Sequence, residues 1–337
     1  MSFQLKSNES VGTGIKRCVR HELEKILKSV APEKPGSKAE TDAVHEIRKR
    51  FKKMRAALRL VREDLGDDIY HQENFCYRDA AKPLTAVRDA EMLVETVEKI
   101  RQQFADKINP QDLAKILSAL NANQCEVTRR VLHKEKALPA VKEEATRALA
   151  RLLEWRIDRN GWEALAVGLR RVYRQGHRAL NLATEKPSVA NLHEWRKQTK
   201  YLWHALQLLE SAWKNHEKDL ADEVHHLSRL LGEDHDLAVL RQVLAADPAV
   251  YGGHRFLKSL FVIIDHSREE LERQAFELGQ RLYKDPAKIF TARLESYWKA
   301  SKPEINPVKK QIPNRLLSVG SKGRLSSSGP PKQRNTS

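Results

Sequence analysis

AVHEIRKRFKKMRAALRL, residues 43–60, is sharply two-faced when wound as an α-helix. At 100° per residue, Val44, Ile47, Phe51, Met54, Leu58 and Val61 fall in one arc about 100° wide, the pattern of a helix with a single buried face. His45, Arg48, Lys52, Arg55 and Arg59 share a second arc of about 80°, with Lys49 beside it. Like charges at these spacings repel by roughly 0.2–0.5 kcal/mol per pair, so a helix selected for stability alone would interleave glutamates. Glu46 is the one acid before the last turn, and it lies off the stripe. For a single run of this kind, a solvated basic face would be explanation enough.

The run occurs twice. Residues 191–210, NLHEWRKQTKYLWHALQLLE, align with the first stretch at an offset of 148 without a gap. His45 pairs with His193, Arg48 with Arg196, Lys49 with Lys197, Lys52 with Lys200 and Leu58 with Leu206. The second stripe reads His193, Arg196, Lys200, His204 and Gln207, opposite Leu192, Trp195, Leu202, Leu206 and Leu209. A second pair of segments, LTAVRDAEML at 84–93 and LGEDHDLAVL at 231–240, repeats at an offset of 147 and sets Arg88-Asp89 against His235-Asp236. Internal repetition at this period marks a duplicated unit of about 150 residues.

Around these landmarks the chain reads as all helical. Helices are expected over 15–30, 44–63 with the Leu-Gly-Asp-Asp turn at 65–68 ending it, 69–100 with a division at Pro83, 111–133, 140–158, 162–183, 191–210, 215–246, 254–283 and 287–300. Thr41 or Asp42 supplies the N-cap of the basic helix. No alternating β-branched run bounded by turn residues occurs. The expected organisation is an unstructured start at 1–10, a helical body over 11–298 whose halves, 11–158 and 161–298, each hold about four helices, and a basic tail over 299–337. That tail is rich in Pro, Gly, Ser, Lys and Arg and is expected to be disordered.

The chain has 337 residues and a formal charge of +16. From Lys299 onward nine Lys or Arg face one Glu, so the tail holds half of that excess. The body is only moderately basic, and its charge must be clustered to matter. Cys18, Cys76 and Cys125 match no metal spacing and read as free thiols of a reducing compartment. The start has no apolar signal core and no window approaches 18 apolar residues, so a cytoplasmic protein without a membrane partner is expected. His225, His226, Glu233, Asp234, His235 and Asp236 are ligand-type residues, but no HExxH occurs, because Lys49 and Lys197 stand where its second histidine would fall. No metal, cofactor or catalytic group is expected.

The doubled histidine with Arg or Lys at +3, +4 and +7, together with LTAVRDAEML and LGEDHDLAVL, resembles the CHAD family, the conserved histidine α-helical domain. LRRVYRQGHRAL, residues 169–180, is similar to a further family segment. The resemblance spans about residues 10 to 298. It implies two four-helix bundles related by a pseudo-two-fold axis, basic side chains lining a central channel or groove, and binding of inorganic polyphosphate without catalysis. Association with polyphosphate granules is part of the same implication. Trp203, Gln207 and His235 depart from the pattern, standing where that family often has a basic residue, a basic residue and Asn.

The charge pattern fits such a ligand. A polyphosphate chain carries about one charge per unit and no bases, so its receptor needs rows of cations and no reading groups. The candidate binding residues are His45, Arg48, Lys49, Lys52, Arg55, Arg59, Arg88, Arg170, Arg174, Arg178, His193, Arg196, Lys197, Lys200 and His204. Arg170, Arg174 and Arg178 enter as a further i,i+4,i+8 stripe. The alternative is a single-stranded nucleic-acid or general polyanion binder, for which Trp195, Tyr201 and Trp203 would provide stacking; no helix-turn-helix or RNA-recognition signature supports it. The sequence leaves the oligomeric state open.

Overall fold

Pro83 cannot donate a backbone hydrogen bond, and Gly66 takes a positive φ of 76°; between them they shape the chain around the first basic helix. The computed structural model describes residues 3–30, 38–212 and 218–301, and among these there is no strand. Eleven α-helices follow one another: α1 (Val11–Ser29), α2 (Lys38–Leu60), α3 (Arg62–Ala81), α4 (Leu84–Gln103), α5 (Pro110–Thr128), α6 (Ala137–Arg151), α7 (Glu163–Glu185), α8 (Val189–Leu209), α9 (Lys218–Ala246), α10 (His254–Leu282) and α11 (Ala287–Ser301). The expected basic tail lies outside the described residues from 302 onward.

Local chemistry sets most of these boundaries. Ser10, Asn109 and Ser188 cap α1, α5 and α8, each side chain accepting from a backbone N–H in the first turn. The basic helix starts earlier than expected, at Lys38, and the Thr41 hydroxyl donates to the Lys38 carbonyl at 3.0 Å instead of capping. The Leu-Gly-Asp-Asp stretch does not end a helix. Gly66 instead kinks α3 within its first turns. The expected helix to His133 closes in a wider π-helical turn, Arg129–Lys134, after which Lys136 adopts a left-handed φ of 54° and α6 begins.

The apolar side chains do not gather into two separate bundles that divide near residue 160. One continuous core joins α1, α2, α3 and α6 to α7, α8, α11 and the first half of α9, through Phe51, Tyr77, Trp155, Tyr173 and Trp195. A second core is built from the far ends of two helical hairpins, α4 with α5 and α9 with α10, through Val97, Ile116, Leu240 and Ile264. Both copies of the repeat contribute to each core, because α2 packs on α8 and α4 packs on α9. Where α7 meets the end of α2, Gly168 is pressed against the backbone: a Cβ there would lie 2.2 Å from the Leu60 carbonyl oxygen.

Residues 3–10, expected to be unstructured, are instead part of this body. Phe3 and Leu5 are buried, and the Leu5 N–H donates to the Leu208 carbonyl of α8 at 2.8 Å. Gln4 bonds Glu210, and Ser211 donates to the Leu5 carbonyl. Two apolar residues in an otherwise polar start suffice to seat it on the last turn of α8. No helix of the described residues is long and apolar enough to cross a membrane.

Candidate anion-binding site

The buried face of α2 fixes where its basic stripe points. Val44, Ile47, Phe51 and Met54 are each no more than 1% exposed, and this turns Arg48 and Lys52 toward α8 and α4. On α8, Leu192, Trp195, Thr199, Leu202 and Leu206 are buried, so Arg196 and Lys200 face back. The result is a recessed cationic groove in which Arg88 and Asp89 of α4 and His235 and Asp236 of α9 lie within electrostatic reach of Lys52, Arg196 or Lys200.

The groove is crowded by protein, and Arg48, Lys52, Arg196 and Lys200 are each half-buried. Burial pushes the Lys52 ammonium down from 10.5 to about 8, and Arg48, Arg196 and Arg88 push it further in the same direction. Burial, Arg196 and Lys52 hold Lys200 well below its ordinary range. Burial also lowers Arg196 and Arg48, against the pull of nearby aspartates. Asp89 and Asp236 are raised by burial in spite of the surrounding cations. Arg196 reaches Asp236 at only 3.8 Å. Neither Lys52 nor Lys200 has a hydrogen bond or a carboxylate in ion-pair range among the described residues.

The two copies hold their arginines in corresponding ways. Arg48 donates to the Thr85 hydroxyl at 2.5 Å and to the Ala81 carbonyl at 3.1 Å. Arg196 lies across Gly232, the residue that matches Thr85 in the repeat, where a Cβ would be 3.5 Å from its Nε. Arg48 is thus seated on the opening of α4 and Arg196 against the middle of α9, at matching positions of the repeat.

His45 and His193 are exposed at the mouth of the groove. Burial and the neighbouring Arg88 lower His45; burial, Arg196 and Lys197 lower His193. The His193 ring lies 4.4 Å from the His235 ring, and His235 is pushed down to about 4 by burial, Arg196 and His193. Arg88 is held by Glu91 at 2.7 Å and Glu95 at 3.0 Å. Lys49 pairs with Glu46 at 3.2 Å and Lys197 with Glu194.

The rest of the α2 stripe opens onto two adjoining cavities. The first, of about 520 Å³, is lined by Arg48, Lys52 and Arg55 of α2, Arg78 of α3, and Lys82 and Thr85 before and within α4. The second, of about 430 Å³, is lined by Arg55 and Arg59 with Arg62, Arg78, Arg171 and Lys197. Tyr70, Tyr201, Gln175 and Gln198 also line it. Arg59 lies 3.8 Å from the Tyr201 ring centroid and Arg62 lies 4.5 Å from that of Tyr70.

Some expected site residues are placed elsewhere. His204 is 2% exposed, bonded to Gln207 at 3.0 Å and lowered by burial to about 3, so it is a neutral core group and not part of the stripe. Arg170, Arg174 and Arg178 are exposed and line neither cavity. The backbone contact at Gly168 sets α7 so that Arg171 and Gln175, one residue further on, face the second cavity. Arg62, Arg78 and Arg171 were not singled out by sequence reasoning. Arg78 and Lys82, four apart before Pro83, carried the nearest thing to a signal.

The acidic and histidine residues of α9 disperse. Asp234 is paired with Arg268 at 2.8 Å, His225 stacks on Trp203 at 4.1 Å, and His235 sits against His193. Among the described residues no three His, Cys, Asp or Glu side chains converge on a point that could hold a metal.

Fold and site together define an all-helical protein with a recessed cationic groove between two copies of one helix. The chain belongs to the CHAD domain family, whose model matches residues 21–245. Among solved structures it is similar to the crystal structure of the CHAD domain from the plant Ricinus communis. The match has a TM-score of 0.50 at 14% identity and covers 89% of this chain and 95% of that one, a likeness of fold. No curated protein matches the chain.

Proposed function

We propose that this protein is a noncatalytic binder of inorganic polyphosphate, and that the groove between α2 and α8 is where the chain is held. One observation carries the reading: Lys52 and Lys200 are recessed ammonium groups crowded by Arg48, Arg88 and Arg196, and among the described residues no carboxylate comes within ion-pair distance of either, Asp89 and Asp236 acting on them only from further off. Cations held this way are unfavourable in the empty protein and favourable around an anion. Arg48 and Arg196 flank them as seated forks, suited to phosphate oxygens. The groups that meet between α2 and α8 are mostly cations, which favours a ligand that is charge and little else. Family membership supports the same ligand. Binding to polyphosphate or its granules in the cytoplasm, without chemistry on the ligand, is the cellular role that follows.

The test is a competition. Long-chain polyphosphate is titrated against a single-stranded oligonucleotide of equal charge at about 150 mM salt, where loose phosphate contacts are strongly weakened. Both the full chain and a chain ending at residue 301 are used. Polyphosphate preferred by at least a hundredfold in both supports the reading. Equal competition, or loss of binding with the tail, makes the protein a general polyanion binder.

A further inference from the structure

Asn74 of α3 is 8% exposed, and its Oδ1 accepts from two arginines of α2: Arg55 Nε at 3.0 Å and Arg59 at 3.3 Å. Arg59 also donates to the Arg55 carbonyl at 2.7 Å and rests on Tyr201. Both guanidinium groups are therefore fixed by neutral acceptors and an aromatic face, and neither is paired with a carboxylate among the described residues. Elsewhere the chain fixes buried arginines with acids: Glu22 takes Arg50, Asp234 takes Arg268, and Glu73, the residue next to Asn74, takes Arg151 at 2.6 Å. An aspartate at 74 would have been the stabilising choice. Asparagine orients the two arginines and leaves their charge unspent.

That charge faces the second cavity. The other cations around it, Arg62, Arg78, Arg171 and Lys197, are each tied to a carboxylate, Asp67, Asp79, Glu63 and Glu194 respectively. Arg55 and Arg78 line both cavities, so the two adjoin. From Arg48 to Arg59 the axis of α2 advances about 16 Å at 1.5 Å per residue.

We infer that the second cavity is a distinct site for condensed phosphate, that Asn74 is its positioning residue, and that a polyphosphate chain runs from the central groove into it. The inference rests on the polyphosphate reading and adds a length requirement. Tripolyphosphate, shorter than the span of α2 from Arg48 to Arg59, occupies one cavity at a time. A long chain occupies both and gains the advantage of linked binding events.

The test uses calorimetric titration of the full chain with tripolyphosphate and with long-chain polyphosphate at one salt concentration, alongside thermal melts. Asn74→Asp, isosteric and placed between two arginines, is expected to weaken long-chain binding at least tenfold while Tm stays level or rises. A residue serving stability alone would not give that opposed pair of changes. Arg62→Gln, in the lining of the second cavity alone, is expected to weaken long-chain binding at least threefold with Tm changed by no more than a few degrees. If both variants fold and keep wild-type affinity within twofold, the second site is wrong while the central groove stands. If Asn74→Asp does not fold, Arg62→Gln decides alone by the same criterion. Wild-type protein that binds neither polyphosphate would overturn the parent reading and this one with it.

Discussion

The guanidinium of Arg59 lies 3.8 Å from the centre of the Tyr201 ring, so the two copies of the repeated helix touch through a cation and an aromatic face. Such a contact is worth about 0.5–2 kcal/mol depending on how far it is desolvated. It also holds Arg59 still before any ligand arrives. Tyr201→Leu keeps the apolar bulk and removes the face. Long-chain polyphosphate affinity is expected to fall about three- to tenfold in that variant, with Tm changed by no more than a few degrees, measured by calorimetry and thermal melts.

Lys52 yields a prediction of opposite signs. Its folded-state pKa, about 8, is below the ordinary 10.5, so below pH 8 both folded and unfolded chains carry the proton and the folded state bears the full penalty of a recessed charge. Between about 8 and 10.5 the unfolded chain holds more protons, so stability from this group rises with pH across that window. Lys52→Met is therefore expected to be more stable than wild type at pH 7, with the difference shrinking to nothing by about pH 10.5. Its polyphosphate affinity is expected to be at least fivefold weaker at pH 7. In the wild type, affinity is expected to decline as pH rises through 8.

The His193–His235 pair gives a second pH window. Both are lowered, His235 to about 4, so between pH 6.5 and 4 the unfolded chain binds more protons than the folded one. The free protein is expected to lose stability as pH falls through that interval. Arg196, Lys200, Lys52 and Arg268 press on these rings, and a bound polyanion would offset them. Polyphosphate binding near pH 5.5 is therefore expected to take up protons, seen as a dependence of the observed heat on buffer ionisation enthalpy. His235→Gln should reduce that dependence; an unaltered dependence would sink the assignment.

Gly168 is where α7 meets α2, with no room for a methyl group beside the Leu60 and Arg59 carbonyls. Overpacking of this kind costs about 1–3 kcal/mol, and contact with rigid backbone belongs at the upper end. Gly168→Ala is expected to lower stability by about 3 kcal/mol in a denaturant titration, and to weaken polyphosphate binding by withdrawing Arg171 from the second cavity.

What the sequence revealed and what it hid follow from where each signal lives. The stripe from Arg48 to Arg59 and its copy at Arg196 and Lys200 were legible because helical period and duplication offset are both properties of one dimension. His204 satisfied the same period and yet is buried against Gln207, because which part of the stripe stays open depends on how α8 packs and not on its own spacing. Arg170, Arg174 and Arg178 met the spacing rule on α7, yet Gly168 decides which face of that helix looks inward. Asn74 offered no signal at all. A neutral residue that positions two arginines from another helix is visible only once α2 and α3 are side by side. The continuous core was hidden for the same reason: repetition in sequence tells of two copies, not of whether their apolar faces merge.

The unpaired ammonium groups of the groove have a consequence for the protein's fate in the cell. If polyphosphate is what answers them, part of the molecule's stability is stored in its ligand, growing with the logarithm of ligand concentration over Kd. At a hundredfold excess over Kd this amounts to about 2.7 kcal/mol, enough to lower the unfolded fraction about a hundredfold. A cell with abundant polyphosphate would then keep more of this protein intact than a depleted one, through slower loss of folded chains and without any change in its synthesis.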